Sequence, residues 1–532
     1  MKSIPGSVVA GILFLLPMMI WGQIRVSGVV KDKPTGLTLP GVHVALAGTL
    51  TATTADGSFS LSVQASDPLI IKATSVGYLP YWDTLNVKHG RPLHIEILMQ
   101  PDSRMLDAVV VSATRTENRV SNVPGRVEVI TPEKIRLTGS TSIDEMISVL
   151  PGVQTARSFG LFSHKATVSM RGVSGKEQAR TLVLVDGIPV NKSDGGSVNW
   201  NLISTGEVER IEVLKGPGSA LYGGNAMGGV INIVQKKPVE LLEGQITADY
   251  GTYQTRGLKG YLGGKSGKGF YWAASGLARA SEGYITQSYA DQMANPYIVK
   301  STFDEKVFSL RTGYSPSEKF SADVYFSYYD DRRETGEKVY QPSGNSTDHD
   351  TYSLRSTFSG ISGATQWNAA LYYIQERYKR VSEWFKDDYT WYDVLSKRSD
   401  FGLMTGLSRT WKTHTFSGGL VIRHGGVDAS DIYYTSTDQV DNRGKMVFYG
   451  FYLQDQFRFM DESMTLVAGL RYDYSTFYDG AFVIHHPSAE TRFMSTYQFS
   501  DEESISWGAI SPRLSLQYKP GDRFRVYTGY SR

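Results

Sequence analysis

From residue 243 to the last residue, the sequence repeats one unit: two alternating strand patterns, a tight turn between them, then a long polar insertion. The tight turns fall at 263–268, 315–318, 360–363, 411–412, 460–461 and 520–521. The insertions fall at 281–302, 331–349, 381–397, 427–444 and 477–503. Short connections on one rim and long ones on the other mark an antiparallel sheet that crosses a membrane with its strands. A soluble sandwich has no reason to sort its loops by parity.

The side chains follow the same plan. Phe320, Ala322, Val324, Phe326 and Tyr328 share one parity, with Ser321, Asp323, Tyr325 and Ser327 between them. Met464, Leu466, Ala468, Leu470, Tyr472 and Tyr474 share one parity against Thr465, Val467, Gly469, Arg471 and Asp473. Alternate residues of a strand face opposite ways, so one face suits lipid and the other a wet lumen. The strand patterns run about 10–15 residues, enough to cross a bilayer when tilted. An aromatic share of 12%, with 32 tyrosines, supplies rings for interface girdles. A mean hydropathy of −0.25 argues against a helical membrane protein but not against strands with a polar lumen face. A net charge of +2 gives no reason to expect a nucleic-acid partner. With no cysteine, the chain has no disulfide, no thiolate metal site, no cysteine nucleophile and no lipid-modified N-terminal cysteine.

Residues 1–22 read as an export signal: Lys2, then an apolar run over 8–20 that is too short for a spanning helix of about 20 residues. Residues 23–100 read as a β-sandwich of seven-strand type. Val26, Gly28 and Val30 alternate with polar neighbours, Val42, Val44 and Leu46 share a face, and Asp56-Gly57 turns into Phe59, Leu61 and Val63. A third pair of runs lies near 69–73 and 95–98. This segment resembles the carboxypeptidase regulatory-like domain found ahead of many Bacteroidetes outer-membrane receptors. No H-E-x-x-H motif is present, so the resemblance carries no enzymatic reading.

Residues 101–122 form a polar linker that contains one apolar strip: Asp107, Ala108, Val109, Val110, Val111, Ser112 and Ala113. A short β-prone strip in a linker is suited to pairing with another sheet's edge, or to serving as a strand of the next domain. Residues 123–237 read as a compact α/β unit. Thr131 before Pro132 starts one helix, and Ser142 with Glu145 makes a capping box for a second that stops at Pro151-Gly152. Asp186-Gly187 is a hairpin turn, and 207–214 is a strand followed by a glycine-rich stretch. That stretch is not a nucleotide loop: Leu221 stands where G-x-G-x-x-G needs glycine, and Lys259 stands where a P-loop ending at Gly264-Lys265-Ser266 needs one. No G-x-S-x-G is present either. The reading is not an enzyme, with no cofactor and no metal site; the His485-His486 pair is read as exposed loop histidines.

The run 168–173, the hairpin 182–189 and the stretch 207–237 resemble the plug domain of TonB-dependent outer-membrane receptors. The strip 107–113, followed by Thr114-Arg115, resembles the TonB box, and 452–456, 469–474 and 511–520 are similar to barrel strands of the iron-complex branch. The resemblance covers nearly the whole chain after the signal. It implies a mainly β protein: an N-terminal β-sandwich, an α/β plug domain over 123–237, and a partial antiparallel transmembrane β-barrel over 238–532. It implies TonB-driven import of a scarce small-molecule ligand, most simply a ferric siderophore or other iron complex, with cobalamin, haem or a glycan as alternatives. Outer-membrane lipid surrounds the wall, and TonB pairs with 107–113 from the periplasm. The upper plug loops are the expected ligand contacts, with Arg157, Phe159, Phe162, Asp194 and Trp200 as candidates. Arg171, Glu209, Arg210 and Glu212 are candidates for buried pairs with the wall. About 13 strand patterns follow the plug, against roughly 22 in plugged transporters, which predicts a fragment of a longer receptor that does not close a pore. A secreted β-rich adhesin would explain the tyrosines but not the plug-like segment, and a diffusion porin would not explain the domains ahead of the strands.

Overall fold

The computed structural model describes residues 23–33, 36–64, 69–75, 78–85, 93–100, 109–110, 118–157, 163, 165–173, 178, 180–489, 491, 499–500, 504–521 and 524–532. The expected export signal lies outside them, as do Asp107, Ala108, Val111, Ser112, Ala113, Phe159 and Phe162. The chain divides into two compact units, 1–108 and 109–532.

In the first unit, alternation builds two sheets. The strand Gln23–Asp32 lies between Ser58–Gln64, antiparallel, and Leu93–Met99, parallel. The second sheet runs Thr49–Ala52, His43–Leu46, Leu69–Thr74, Tyr81–Leu85. One apolar core joins the two sheets, with Val26, Val30, Val44, Leu61, Ile71 and Ile97 among its residues. The runs near 69–73 and 95–98 do not form a pair but end in separate sheets, because the last strand crosses over to pair in parallel with the first. A crossover leaves no trace in local pattern. Gly28 marks a close approach: a Cβ there would sit 2.1 Å from the Ile95 carbonyl oxygen.

The second unit holds a small mixed sheet and a large antiparallel one. The small sheet runs Arg126–Ile130, Val208–Lys215, Gly229–Gln235, Thr181–Val185, Ile188–Pro189. Its central strands are buried on both faces, which is why they read as continuous apolar runs rather than alternating ones. Helices Pro132–Leu137 and Ile143–Ser148 and the pair Val153–Arg157 with Ala166–Met170 complete the unit. Asp186 and Gly187 sit at φ 49° and 80°, the geometry a two-residue hairpin turn demands.

The large sheet has fourteen strands, thirteen of them in a path of neighbours from Glu243–Gly251 to Phe524–Ser531. Its polarity is inverted relative to a soluble sheet. Leu470, Tyr472 and Tyr474 are exposed, while Arg471 and Asp473 between them are buried. The inward, polar parity faces the small sheet. Two of the expected long insertions, 381–397 and 427–444, are mostly strand. Thr365–Phe385 and Tyr389–Trp411 leave only 386–388 between them, and His414–Tyr433 and Gln439–Phe459 leave only 434–438. Strands therefore reach 23 residues. The polar residues read as loop still pair their backbones, because a hairpin can continue into water without an apolar face.

Candidate functional site

The seam between the small sheet and the wall is polar and closely packed, with cavities of about 30 and 10 Å³. At its centre is Glu207, placed just ahead of the strand Val208–Lys215 by a turn whose Ser204 Oγ accepts from the Gly206 amide at 3.3 Å. The Glu207 carboxylate accepts from Tyr325 Oη at 2.9 Å, Ser309 Oγ at 2.7 Å and Ser275, side chains of three successive wall strands. It also accepts from Gln235 Nε2 at 2.7 Å, on the small sheet itself. The Gln235 carbonyl then accepts from Arg311 at 2.8 Å and Arg355 at 3.0 Å. Arg311 reaches on to Asp186 at 2.5 Å, so the hairpin turn is held by the wall. Both guanidiniums lie over the Tyr325 ring, at 5.2 and 4.1 Å.

A second cluster lies further along the wall strands. Lys192 pairs with Glu376 at 2.7 Å, Arg398 bridges Glu376 and Asp194 at 3.0 and 2.5 Å, and Ser193 bonds Asp400. Asn201 donates to Glu305 at 3.1 Å, which Arg279 and Arg333 also hold. The cavity between Lys192, Glu376, Arg398 and Asp400 has a volume of about 30 Å³, room for a water and not for an iron chelate. Elsewhere the wall's Arg471 donates to the Leu221 carbonyl at 2.8 Å, and Lys237 pairs with Asp323 at 2.9 Å.

The expected site residues take different parts in this. Asp194 lies in the seam, on Arg398. Trp200 is core, with its indole N–H on the Ala166 carbonyl at 2.8 Å. Arg157 ties its strand to the second helix, pairing with Asp144 and Glu145 at 2.7 Å each and donating to Ser142 Oγ at 2.8 Å. Burial works against the Arg157 charge, but the two carboxylates outweigh it and hold its pKa above the ordinary value. Ser142 makes no cap hydrogen bond, so the expected capping box is half formed: Glu145 reaches back to the Thr141 amide at 2.9 Å. Arg210 and Glu212 pair with each other at 2.8 Å. His485 ends a strand and bonds Asp441 at 2.9 Å. Of the strip 107–113, Val109–Val110 forms a two-residue strand against Asn118–Arg119, with Val110 fully buried. The seam residues that sequence reasoning missed are Glu207, Gln235, Asp186 and Lys192. Their signal was on the wall, where Arg311, Arg333 and Arg355 stand at lumen parity.

Comparison with known proteins fits this geometry. Residues 26–111 match the family model CarboxypepD_reg-like domain, 119–230 the TonB-dependent Receptor Plug Domain, and 243–532 the model TonB dependent receptor-like, beta-barrel. A Vitamin B12 transporter BtuB of Vibrio vulnificus (strain CMCP6) is 39% identical over 128 residues, 24% of this chain and 20% of its own length. One from Vibrio cholerae is 30% identical over 206 residues, 39% of this chain and 31% of its own. The alignments thus span under a third of these curated relatives. Among solved structures, the ferric yersiniabactin uptake receptor FyuA from Yersinia pestis superposes with a TM-score of 0.63 at 18% identity, covering 79% of this chain and 65% of that one. The ferric preacinetobactin receptor BauA from Acinetobacter baumannii gives 0.60 at 14% identity, with 79% and 65% covered. Since the barrel model alone takes in more than half of the 532 residues, the chain belongs to the TonB-dependent receptors of the Gram-negative outer membrane.

Proposed function

We propose that the protein imports a scarce ligand across the outer membrane, with 123–237 as a plug inside a barrel wall formed by the large sheet. The observation that carries this reading is the seam. Hydrogen bonds and ion pairs join plug to wall, and such contacts exchange for water at small net cost, whereas an apolar interface would not. The strip 107–113 is the handle. Its two-residue ladder gives up little when TonB takes the strip by strand addition and pulls, using inner-membrane energy. Residues 1–22 direct export, and 23–100 forms a separate domain ahead of the linker.

The ligand we infer is a ferric siderophore or similar anionic chelate, as in the iron-complex branch and in receptors of Bacteroidetes type. On the wall, Arg380 donates to Tyr392 Oη at 3.2 Å and keeps a buried Nε without a hydrogen-bond partner. That is a cation suited to negative charge. The second reading is cobalamin, favoured by the 39% identity over 128 residues to a vitamin B12 transporter.

Growth of a deletion strain on single iron sources, cobalamin or glycans separates these ligands. For the mechanism, Val110→Pro removes a backbone donor and blocks extended pairing. Uptake is expected to be lost while whole-cell ligand binding persists. Retention of both would move the TonB contact elsewhere.

A further inference from the structure

The two sheets of the N-terminal domain turn different chemistry to solvent. On the sheet built around Gln23–Asp32, the outward side chains are mostly polar and answer one another. Arg25 donates to Ser60 Oγ at 2.9 Å, Ser27 Oγ and His94 Nδ1 lie 3.3 Å apart, and Lys31 pairs with Glu96 at 2.7 Å. That is an ordinary solvated face. The other sheet alternates as strictly, with Val44, Ile71 and Ala73 inward, yet its outward side is largely apolar. The register places Leu50, Ala45, Lys72 and Trp82 in one row across four strands, with Ile70 opposite Thr84 in the next row. Leu50, Ile70 and Trp82 are each more than half exposed. One exposed apolar side chain is normal, whereas three on one sheet face around a cation make a contact surface.

The charge on this face is of one sign. Asp83 is the only carboxylate in these four strands, and it stands at the opposite parity, where it accepts from Tyr81 Oη at 3.1 Å. Among the described residues, no ion pair within 4.0 Å holds Lys72. Its ammonium rests instead over the Trp82 ring, 4.5 Å from the centroid. A cation–π contact at an exposed site is weak, and a carboxylate offers a stronger, charge-assisted bond. A ligand carboxylate therefore draws Lys72 off the ring and uncovers the indole face.

The row is bulky at both ends, at Leu50 and Trp82, and small at Ala45, a shallow trough about 14 Å across three strand spacings. Thr84 lies beside it, as do Thr74 and its strand partner His43. A sugar ring has the matching halves. Its C–H face packs on an indole and on aliphatic side chains, and its hydroxyls find donors and acceptors in threonine and histidine. A neutral glycan would leave Lys72 without a partner, and an apolar peptide would leave the hydroxyls and the imidazole unused.

We propose that this face binds a carboxylated amino-sugar polymer, the chemistry of the cell wall on the periplasmic side of an outer membrane. Trp82 stacks on a sugar ring, Lys72 takes the carboxylate, and Thr74, Thr84 and His43 bond the hydroxyls. Such a domain tethers the receptor to the wall. The periplasmic placement of 23–100 comes from the transport reading; the identity of the imported ligand plays no part.

The domain's apolar core closes within 23–100, so this fragment is tested by sedimentation with purified sacculi, beside the whole receptor in detergent. The wild type is expected to co-sediment. Trp82→Ala and Lys72→Gln should each weaken binding by about tenfold, and Lys72→Arg should keep most of it. Urea midpoints of the variants should match the wild type, because neither side chain belongs to the core. Amidating the carboxylates of the sacculi should lower wild-type binding to the level of Lys72→Gln and leave that variant unmoved. Failure of the wild type to sediment, or equal sedimentation by wild type and variants, overturns the proposal. So does indifference to amidation, or full competition by poly-glutamate, which makes the face a dock for acidic peptides. No imported ligand enters the assay, so a negative result leaves the transport reading standing.

Discussion

The N-terminal domain and the plug are both small β-rich units, yet they bury different chemistry. In the N-terminal domain the buried polar side chains among the described residues are Asp32 and Thr53, and each has a partner within the domain. Its sheets close on one another. The plug buries Glu207, Glu212, Asn191, Asn201, Asn232 and Gln235. Glu207, Asn201 and Gln235 have wall partners as well as, or instead of, plug ones. The first unit is complete alone. The second is half of an interface, and its surface makes sense only inside the wall.

The contrast breaks most sharply at Arg311. Arg311→Met leaves Asp186 and Gln235 facing a buried apolar side chain. Removing one partner of a buried pair costs about 3–5 kcal/mol. Hydrogen exchange at the 181–185 amides should speed up by roughly two to three decades, with exchange in 23–100 unmoved. Pairing the change with Asp186→Asn should recover part of the loss, because it removes the uncompensated buried charge while asparagine tolerates the left-handed turn position and keeps an acceptor for the Gln235 amide. If the single variant exchanges like wild type, the seam does not hold the plug.

Parity made the wall legible. The alternation around Arg471 and Asp473 announced which face would be polar, and Asp186-Gly187 announced its turn through the positive φ that few residues accept. Strand length was not legible. Residues 381–397 look like a loop because hydropathy stops alternating, although burial still alternates there, with Glu383 buried beside exposed Trp384. Nor could Glu207 be singled out, because its partners Ser275, Ser309 and Tyr325 lie 68, 102 and 118 residues away. Arg157 was read as part of an upper loop because its partners, Asp144 and Glu145, are set by how a helix packs on its strand rather than by spacing. The site lives in pairings between segments, and a single sequence shows segments.

A mid-sized effect sharpens the other side of the comparison. Gly28→Ala puts a Cβ 2.1 Å from the Ile95 carbonyl oxygen and 2.9 Å from the Phe59 ring. Overpacking of this kind costs about 1–3 kcal/mol. Urea denaturation of a 23–100 fragment should shift its midpoint down with little change in slope. In the whole receptor, the same substitution should leave plug exchange as it is. A change in both would mean that the two units share stability.

The smallest effect tests whether the N-terminal domain's surface polar contacts also matter. Asp56 accepts from Thr54 Oγ1 at 2.5 Å, from Ser58 Oγ at 2.8 Å and from the Ser58 amide at 3.2 Å. The Thr54 hydroxyl first, then Ser58, hold the carboxyl down to about 2, against an ordinary 3.8. A pKa lowered on folding stabilises the fold above the unfolded value and ceases to do so as pH falls through the folded one. The contribution is therefore full above about pH 4 and lost toward pH 2, and as an exposed group it is modest. Thermal melts of the 23–100 fragment and its Asp56→Asn variant should differ at pH 7, converge between pH 4 and pH 2, and coincide below. A gap that persists at pH 2 would assign the loss to turn geometry at Asp56-Gly57 rather than to the charge.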